Sequence, residues 1–229
     1  EPAPGWLIPT TFVFDGAGRD GIPSINDPQF DEYSAPGQDP TTAFMTDEDR
    51  VVGLRINGEV KAYPHPILDY HEIVNDEVGG VPIALTYCPL TGTAKVWKRR
   101  ETGGDRFGVS GLLYNSNLVP FDRSTNSDWH QLEGLCIRGE RIGERLEVIP
   151  HVEMTWRDWK EVFPEGQVLN TNTGTERPYD DYPYGDYRTN NNFLLVPVTY
   201  DDNRLPRKER VFSIQAEGKA RVYKRQSFF

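Results

Sequence analysis

Apolar residues along the chain come in short runs broken by glycine and proline, and a two-residue period dominates. Val52, Leu54 and Ile56 alternate with other residues, Asn57-Gly58 turns the chain, and Val60, Ala62 and Tyr63 return, so residues 51–63 predict a β-hairpin. The pattern recurs near the C-terminus, where Arg210, Val211, Gly218 and Tyr223 stand at a constant offset from Arg50, Val51, Gly58 and Tyr63. The simpler reading is that hairpins resemble one another; the other is a degenerate internal repeat. Val81–Tyr87 is a continuous apolar and β-branched run that reads as a buried strand, and Thr93–Lys98 reads as a second. Thr10–Phe14, Phe107–Leu113, Trp129–Cys136 and Leu146–Ile149 are further strand candidates. A helical spacing joins Ile67, Leu68, His71, Ile73 and Val74, with Pro64 and Pro66 suited to a first turn, and predicts a short helix within Pro64–Asp76. Thr155 is placed to cap a helix over Trp156–Phe163, stopped by Pro164. Residues 99–105, 114–128 and 171–192 read as loops. The expected fold is α+β: a β-rich single domain over 21–229 with mostly antiparallel short strands and a few short helices, after a flexible mature N-terminus over 1–20.

Composition supports this picture. The chain has 229 residues, 37% of them hydrophobic, with eleven Tyr, eleven Phe and five Trp, which suffices for a real core. Its 21 Gly and 18 Pro favour many turns over a helical bundle. A net charge of −10 disfavours nucleic acid and anionic membrane surfaces as partners, and no apolar stretch has the length of a membrane span. The opening Glu1-Pro2-Ala3-Pro4-Gly5 reads as what remains after removal of a signal or anchor segment, so the expected location is extracellular or periplasmic. The partner is unknown; an extracellular protein or a second copy of the chain are the expectations.

The chemistry centres on Tyr87-Cys88-Pro89-Leu90-Thr91-Gly92-Thr93. Pro89 lacks an N–H for the ladder, so the strand ends at Cys88, and the thiol is held by rigid backbone beside a turn. One reading is a thiol nucleophile: Cys88 attacks, His71 is its base or orienting partner, Thr91 donates a hydrogen bond, and Glu72, Asp122, Trp129, His130, Gln131 and Tyr114 line the cleft. Cys88-x-x-Thr91 has the outline of a two-cysteine redox motif with threonine in the second place, so a resolving thiol has to come from elsewhere or from Cys136. The alternative is a metal site, copper above all, on Cys88, His71 and His130. A third reading is a non-catalytic binding or assembly module in which Tyr179–Tyr187 is a contact surface. Against all three stands Cys88 as a small buried hydrophobe. No nucleophile elbow, phosphate loop, dinucleotide fingerprint or HExxH occurs.

Several runs occur in one order: His71-Glu72-Ile73-Val74-Asn75-Asp76, Tyr87 to Thr93, Gly108 to Ser116, Asp122-Arg123-Ser124-Thr125 and Trp129-His130-Gln131. Together they resemble a prokaryotic family catalogued as domain of unknown function 3179, over about residues 21–223. The resemblance carries no established activity. It implies exported members and, since some are described as (seleno)proteins, redox chemistry at the Cys88 motif. It also implies a second cysteine where this chain has Thr91, a departure that bears on any two-thiol mechanism here.

Overall fold

The computed structural model describes residues 2–33, 43–99 and 105–224. After a single 3-10 turn at Thr10–Phe12 come strands β1 (Val13–Asp15), β2 (Phe30–Tyr33), β3 (Arg50–Ile56) and β4 (Glu59–Pro64). Helix α1 (His65–His71) follows, then β5 (Ile73–Val78), β6 (Val81–Cys88), β7 (Thr93–Lys98), β8 (Phe107–Tyr114), β9 (Asn117–Asp122), β10 (Asp128–His130), β11 (Leu135–Arg138) and β12 (Val152–Thr155). Helix α2 (Trp156–Val162), β13 (Gly166–Leu169), β14 (Val211–Ala216) and β15 (Lys219–Lys224) complete the order. Two five-stranded sheets, β1-β8-β9-β10-β11 and β12-β3-β4-β13-β2, flank a three-stranded sheet β5-β6-β7, and among the described strands β14-β15 pair only with each other. All pairings are antiparallel except β13 with β4.

The three sheets stack with β5-β6-β7 in the middle, as its side chains record. Ile83, Leu85 and Tyr87 of β6 pack with Val52, Leu54 and Tyr63 of the β3–β4 hairpin. Ala84 and Cys88 point the other way, into a second core with Phe107, Val109, Leu118 and Trp129. A strand covered on both faces needs apolar residues at both parities, which is why β6 reads as an unbroken run. A third core lies on the outer face of β3–β4, where Trp156 and Trp159 of α2 pack on Val51 and Ala62. The Thr155 side chain accepts from Asp158 N at 3.2 Å, the cap expected from sequence.

Polar side chains tie the layers. Asn75 Nδ2 donates to Phe107 O and its Oδ1 accepts from Phe107 N, both at 2.8 Å, so one amide bonds β5 to β8 as a neighbouring strand would. On the other face Lys61 Nζ and the Tyr63 hydroxyl both donate to the Asp76 carboxylate.

Several expectations are corrected. The helix within 64–76 stops at His71 and Ile73–Val78 is strand, because Glu72 takes a positive φ of 58° that ends the helix. Trp129–Cys136 is broken by a turn over 131–134 into β10 and β11. Within 114–128, read as loop, lies β9, with all six residues buried. Leu146–Ile149 forms no strand, only a bridge from Val148 to Trp97. Within residues 2–20, Val13–Asp15 pairs with Tyr114–Leu112, and Leu7 N bonds Ile137 O. The β3–β4 and β14–β15 hairpins share a shape but not a place in the sheets. Residues 100–104 of the expected 99–105 loop lie outside the described residues.

Candidate functional site

Cys88 ends β6 on the side facing β8 and β9. It is 1% exposed, and its Sγ donates to Ser116 O at 3.5 Å. Ser116 and Asn115 form the two-residue turn between β8 and β9, both at positive φ. The Ser116 hydroxyl donates to Val196 O, and Asn115 Oδ1 accepts from Thr199 N, so the same turn holds the segment that covers the site.

A buried amide network sits behind the motif. Gln131 Nε2 donates to Thr93 O at 3.0 Å, and a carbonyl can only accept, so Gln131 Oε1 faces Asn117. Asn117 must therefore present Nδ2, which donates to Gln131 Oε1 at 2.7 Å and to Thr91 Oγ1 at 3.0 Å. With its oxygen already accepting, Thr91 keeps its proton for the Cys88 sulfur, which it hydrogen-bonds. Asn117 Oδ1 is left buried without a partner.

Glu72 is the carboxyl beside the thiol. Its carbonyl accepts from Tyr87 N at 2.6 Å, which fixes the end of α1 against the end of β6. Burial pushes Glu72 up to about 8; the Tyr184 hydroxyl pulls it down and the charge of Asp69 adds to the rise. Burial and then Glu72 push the Cys88 thiol up to about 11, against hydrogen bonds from Thr91 and Leu118. Asp69, one turn earlier on α1, is pushed up by burial to about 7, against Arg188 and Arg210. Tyr182, Tyr184 and Tyr187 lie in the neighbourhood of the thiol: burial raises all three phenols, and each is raised further by the charge of Cys88. The Tyr182 hydroxyl is buried without a partner, whereas the Tyr187 hydroxyl bonds the backbone of Leu195.

On the opposite face of β6, His65 packs on Tyr87 at 4.5 Å between ring centres and lies 3.0 Å from Glu153. Burial opposes ionisation of Glu153, but His65, Arg210 and Arg50 prevail and hold its carboxyl at about 2. The Arg210 guanidinium also fills the space beside Gly92, where a Cβ would come within 3.1 Å of it.

The other expected site residues lie elsewhere. His71 points away from Cys88: Nδ1 is 2.8 Å from Pro23 O and Nε2 is 2.6 Å from the Tyr179 hydroxyl. Since Pro23 O can only accept, Nδ1 carries the proton and Nε2 accepts from Tyr179. An open cleft of ≈ 730 Å³ lies outside Tyr179, lined by Phe44, Glu176 and Arg177 among others, and Cys88 is not among its walls. Asp122 serves its own loop, accepting from Thr125 N at 2.7 Å and from Trp129 Nε1 at 2.9 Å, while Trp129 is core. His130 packs edge-on with Tyr114 at 5.6 Å. The Cys88–His71–His130 set is thus not assembled, and among the described residues no three His, Cys, Asp or Glu side chains gather to hold a metal ion. Cys88 and Cys136 are both free and buried in the same core.

Residues 19–228 match the family model described as a protein of unknown function (DUF3179). The chain belongs to this family. The match spans the residues around Cys88, Asp69 to Tyr187 and Arg210, and leaves residues 1–18 and Phe229 outside. No curated protein and no solved structure matches.

Sequence reasoning named Cys88, Thr91, Glu72 and Gln131, which the structure brings together. It missed Asp69, Asn117 and Arg210, and read Tyr182, Tyr184 and Tyr187 as surface. The three-residue spacing of Asp69 and Glu72 was the one local signal available.

Proposed function

We propose that this DUF3179 protein is a thiol-dependent peroxidase-like oxidoreductase in which Cys88 is the nucleophile and Glu72, not His71, takes its proton. The reading is supported by placement: Cys88 ends β6 beside Glu72, whose carbonyl accepts from Tyr87 N at 2.6 Å, and beside Thr91, which Asn117 braces at 3.0 Å. The ionised Glu72 removes the Cys88 proton as the sulfur attacks a hydroperoxide oxygen. The S–O bond forms, the O–O bond breaks, and the leaving alkoxide takes the proton from Glu72. Cysteine is oxidised by two electrons to sulfenic acid and the hydroperoxide is reduced to alcohol. Thr91 cannot resolve the sulfenic acid, so a small external thiol condenses with it, releasing water, and a second thiol frees Cys88 as a disulfide leaves. The unpartnered hydroxyl of Tyr182 is a donor suited to the developing oxyanion.

At rest the thiol is almost wholly protonated and covered, so reaction requires the tyrosine segment to lift. Intact mass after brief exposure to a small organic hydroperoxide is the test. A one-oxygen adduct trapped on Cys88, absent in Cys88→Ser and slowed at least tenfold in Glu72→Gln, is expected. A folded protein whose Cys88 gains no oxygen before it unfolds would sink the reading.

A further inference from the structure

Thr91 stands exposed in the turn between β6 and β7, yet its hydroxyl bonds the sulfur of Cys88, which is 1% exposed. An exposed turn residue keeps such a bond only when the turn itself is held. One hold comes from Asn117 Nδ2, which donates to Thr91 Oγ1, and from Gln131 Nε2, which donates to Thr93 O, both at 3.0 Å. A second comes from the other face of β6. Tyr87 projects there, into the core opposite to that of Cys88, and its hydroxyl accepts from the Arg210 guanidinium.

Arg210 immediately precedes β14 and reaches three elements at once. Its Nη1 lies 3.5 Å from Glu153 Oε2 of β12, and it bonds the Tyr87 hydroxyl near the end of β6. Its Nη2 lies against Gly92 in the turn, 3.1 Å from where a Cβ would stand. Gly92 has a φ of 57° and no side chain, so it both makes the turn and leaves room for the guanidinium. Glu153 is in turn 3.0 Å from His65 Nε2, so the carboxylate that holds Arg210 is itself held. Tyr87 and Gly92 bracket the run Cys88-Pro89-Leu90-Thr91 in the chain. A rigid planar fork can meet a carboxylate and a phenol while lying on backbone; a single ammonium on a flexible stem cannot do all three.

We infer that Arg210 is a positioning residue for Cys88: it fastens the turn from the face opposite the thiol and so keeps the Thr91 hydroxyl on the sulfur. This deepens the thiol reading above and rests on it, because a hydrogen bond to sulfur favours the thiolate that attacks.

The infrared S–H stretching band of Cys88 in the full chain at neutral pH tests it, the band being identified by its loss in Cys88→Ser. The band reports the bonds of the thiol in the folded protein, whatever a substitution does to stability. Thr91→Val should shift it, and Arg210→Ala should shift it in the same direction. Adding Arg210→Ala to Thr91→Val should shift it no further, since both remove one bond. Arg210→Lys should behave as Arg210→Ala does. Tyr87→Phe keeps the ring in the core and removes only the bonded hydroxyl; it should give a smaller shift of the same sign, and it carries the test if Arg210→Ala does not fold. A band that neither Arg210→Ala nor Tyr87→Phe moves would overturn the inference. So would additive shifts from Thr91 and Arg210, which would mean that Arg210 acts through its charge alone. Hydroperoxide takes no part in this measurement, so a Cys88 that gains no oxygen sinks the proposed chemistry, whereas an unmoved band sinks the role of Arg210.

Discussion

Glu72 combines three features that rarely coincide in one residue. It is buried, it ends a helix with φ 58° and ψ −31°, a conformation side chains seldom adopt, and it faces a thiol. Burial raises its carboxyl from 4.5 to about 8, so the folded state binds its proton more tightly than the unfolded chain does. That stabilisation is complete below pH 4.5 and is lost as pH rises towards about 8. At about 1.4 kcal/mol per pKa unit the loss is on the order of a few kcal/mol. Asp69, raised from 3.8 to about 7, acts in the same direction over a lower window. Denaturant midpoints measured across this range should fall for the wild type, and Glu72→Gln should flatten the slope and be the more stable protein at alkaline pH. Cys88→Ser should lower stability by only about 1 kcal/mol in the same titration, since a hydroxyl can still donate to Ser116 O. Of these neighbours the sequence made Glu72 visible, because it lies beside His71 in a recognisable run. It could not say which of the two faces Cys88, because one backbone dihedral at the helix end decides that.

At the scale of elements, close approach between layers sets the sharpest constraints. Gly53 in β3 lies under α2, where an added Cβ would come within 2.0 Å of the Trp159 ring. Gly53→Ala should therefore destabilise the protein by about 1–3 kcal/mol or more, read as a lower denaturant midpoint, because Trp159 is fully buried and has no room to shift. Thr155→Ala removes a cap and should cost about 1 kcal/mol in the same measurement. The β3–β4 and β14–β15 hairpins and α2 were legible because their signals are local: a turn dipeptide, a two-residue alternation, a cap and a proline stop. Strand β9 was not. Buried on both faces, and carrying Asn117, Pro120 and Asp122, it shows no alternation and resembles a polar loop.

At the scale of the whole molecule, the proposed chemistry requires the segment over 179–199 to lift away from the surroundings of Cys88. That segment is fastened to the β8–β9 turn through Val196 and Thr199, and its Tyr187 is buried over the thiol's surroundings. Tyr187→Ala should speed alkylation of Cys88 at neutral pH at least tenfold while moving the thermal midpoint far less than a core truncation of the same size. Equal alkylation rates in the two proteins would mean that Cys88 is reached only by global unfolding. Cys88 is thus a buried group in the folded chain, as the reading of it as a small buried hydrophobe expected.

From the sequence by itself come the β-rich class, the paired hairpins, the capped second helix and the placing of Cys88 and Thr91 at a strand end, because each follows from the dihedral preferences and periodicity of a few consecutive residues. The tertiary structure alone decided that three sheets stack with β6 in the middle, that Asn117 and Gln131 brace Thr91, that Glu72 and not His71 meets the thiol, and that tyrosines from about a hundred residues downstream cover it. Those contacts depend on which faces are packed together across the fold, and side-chain burial of that range leaves no period in the local chain.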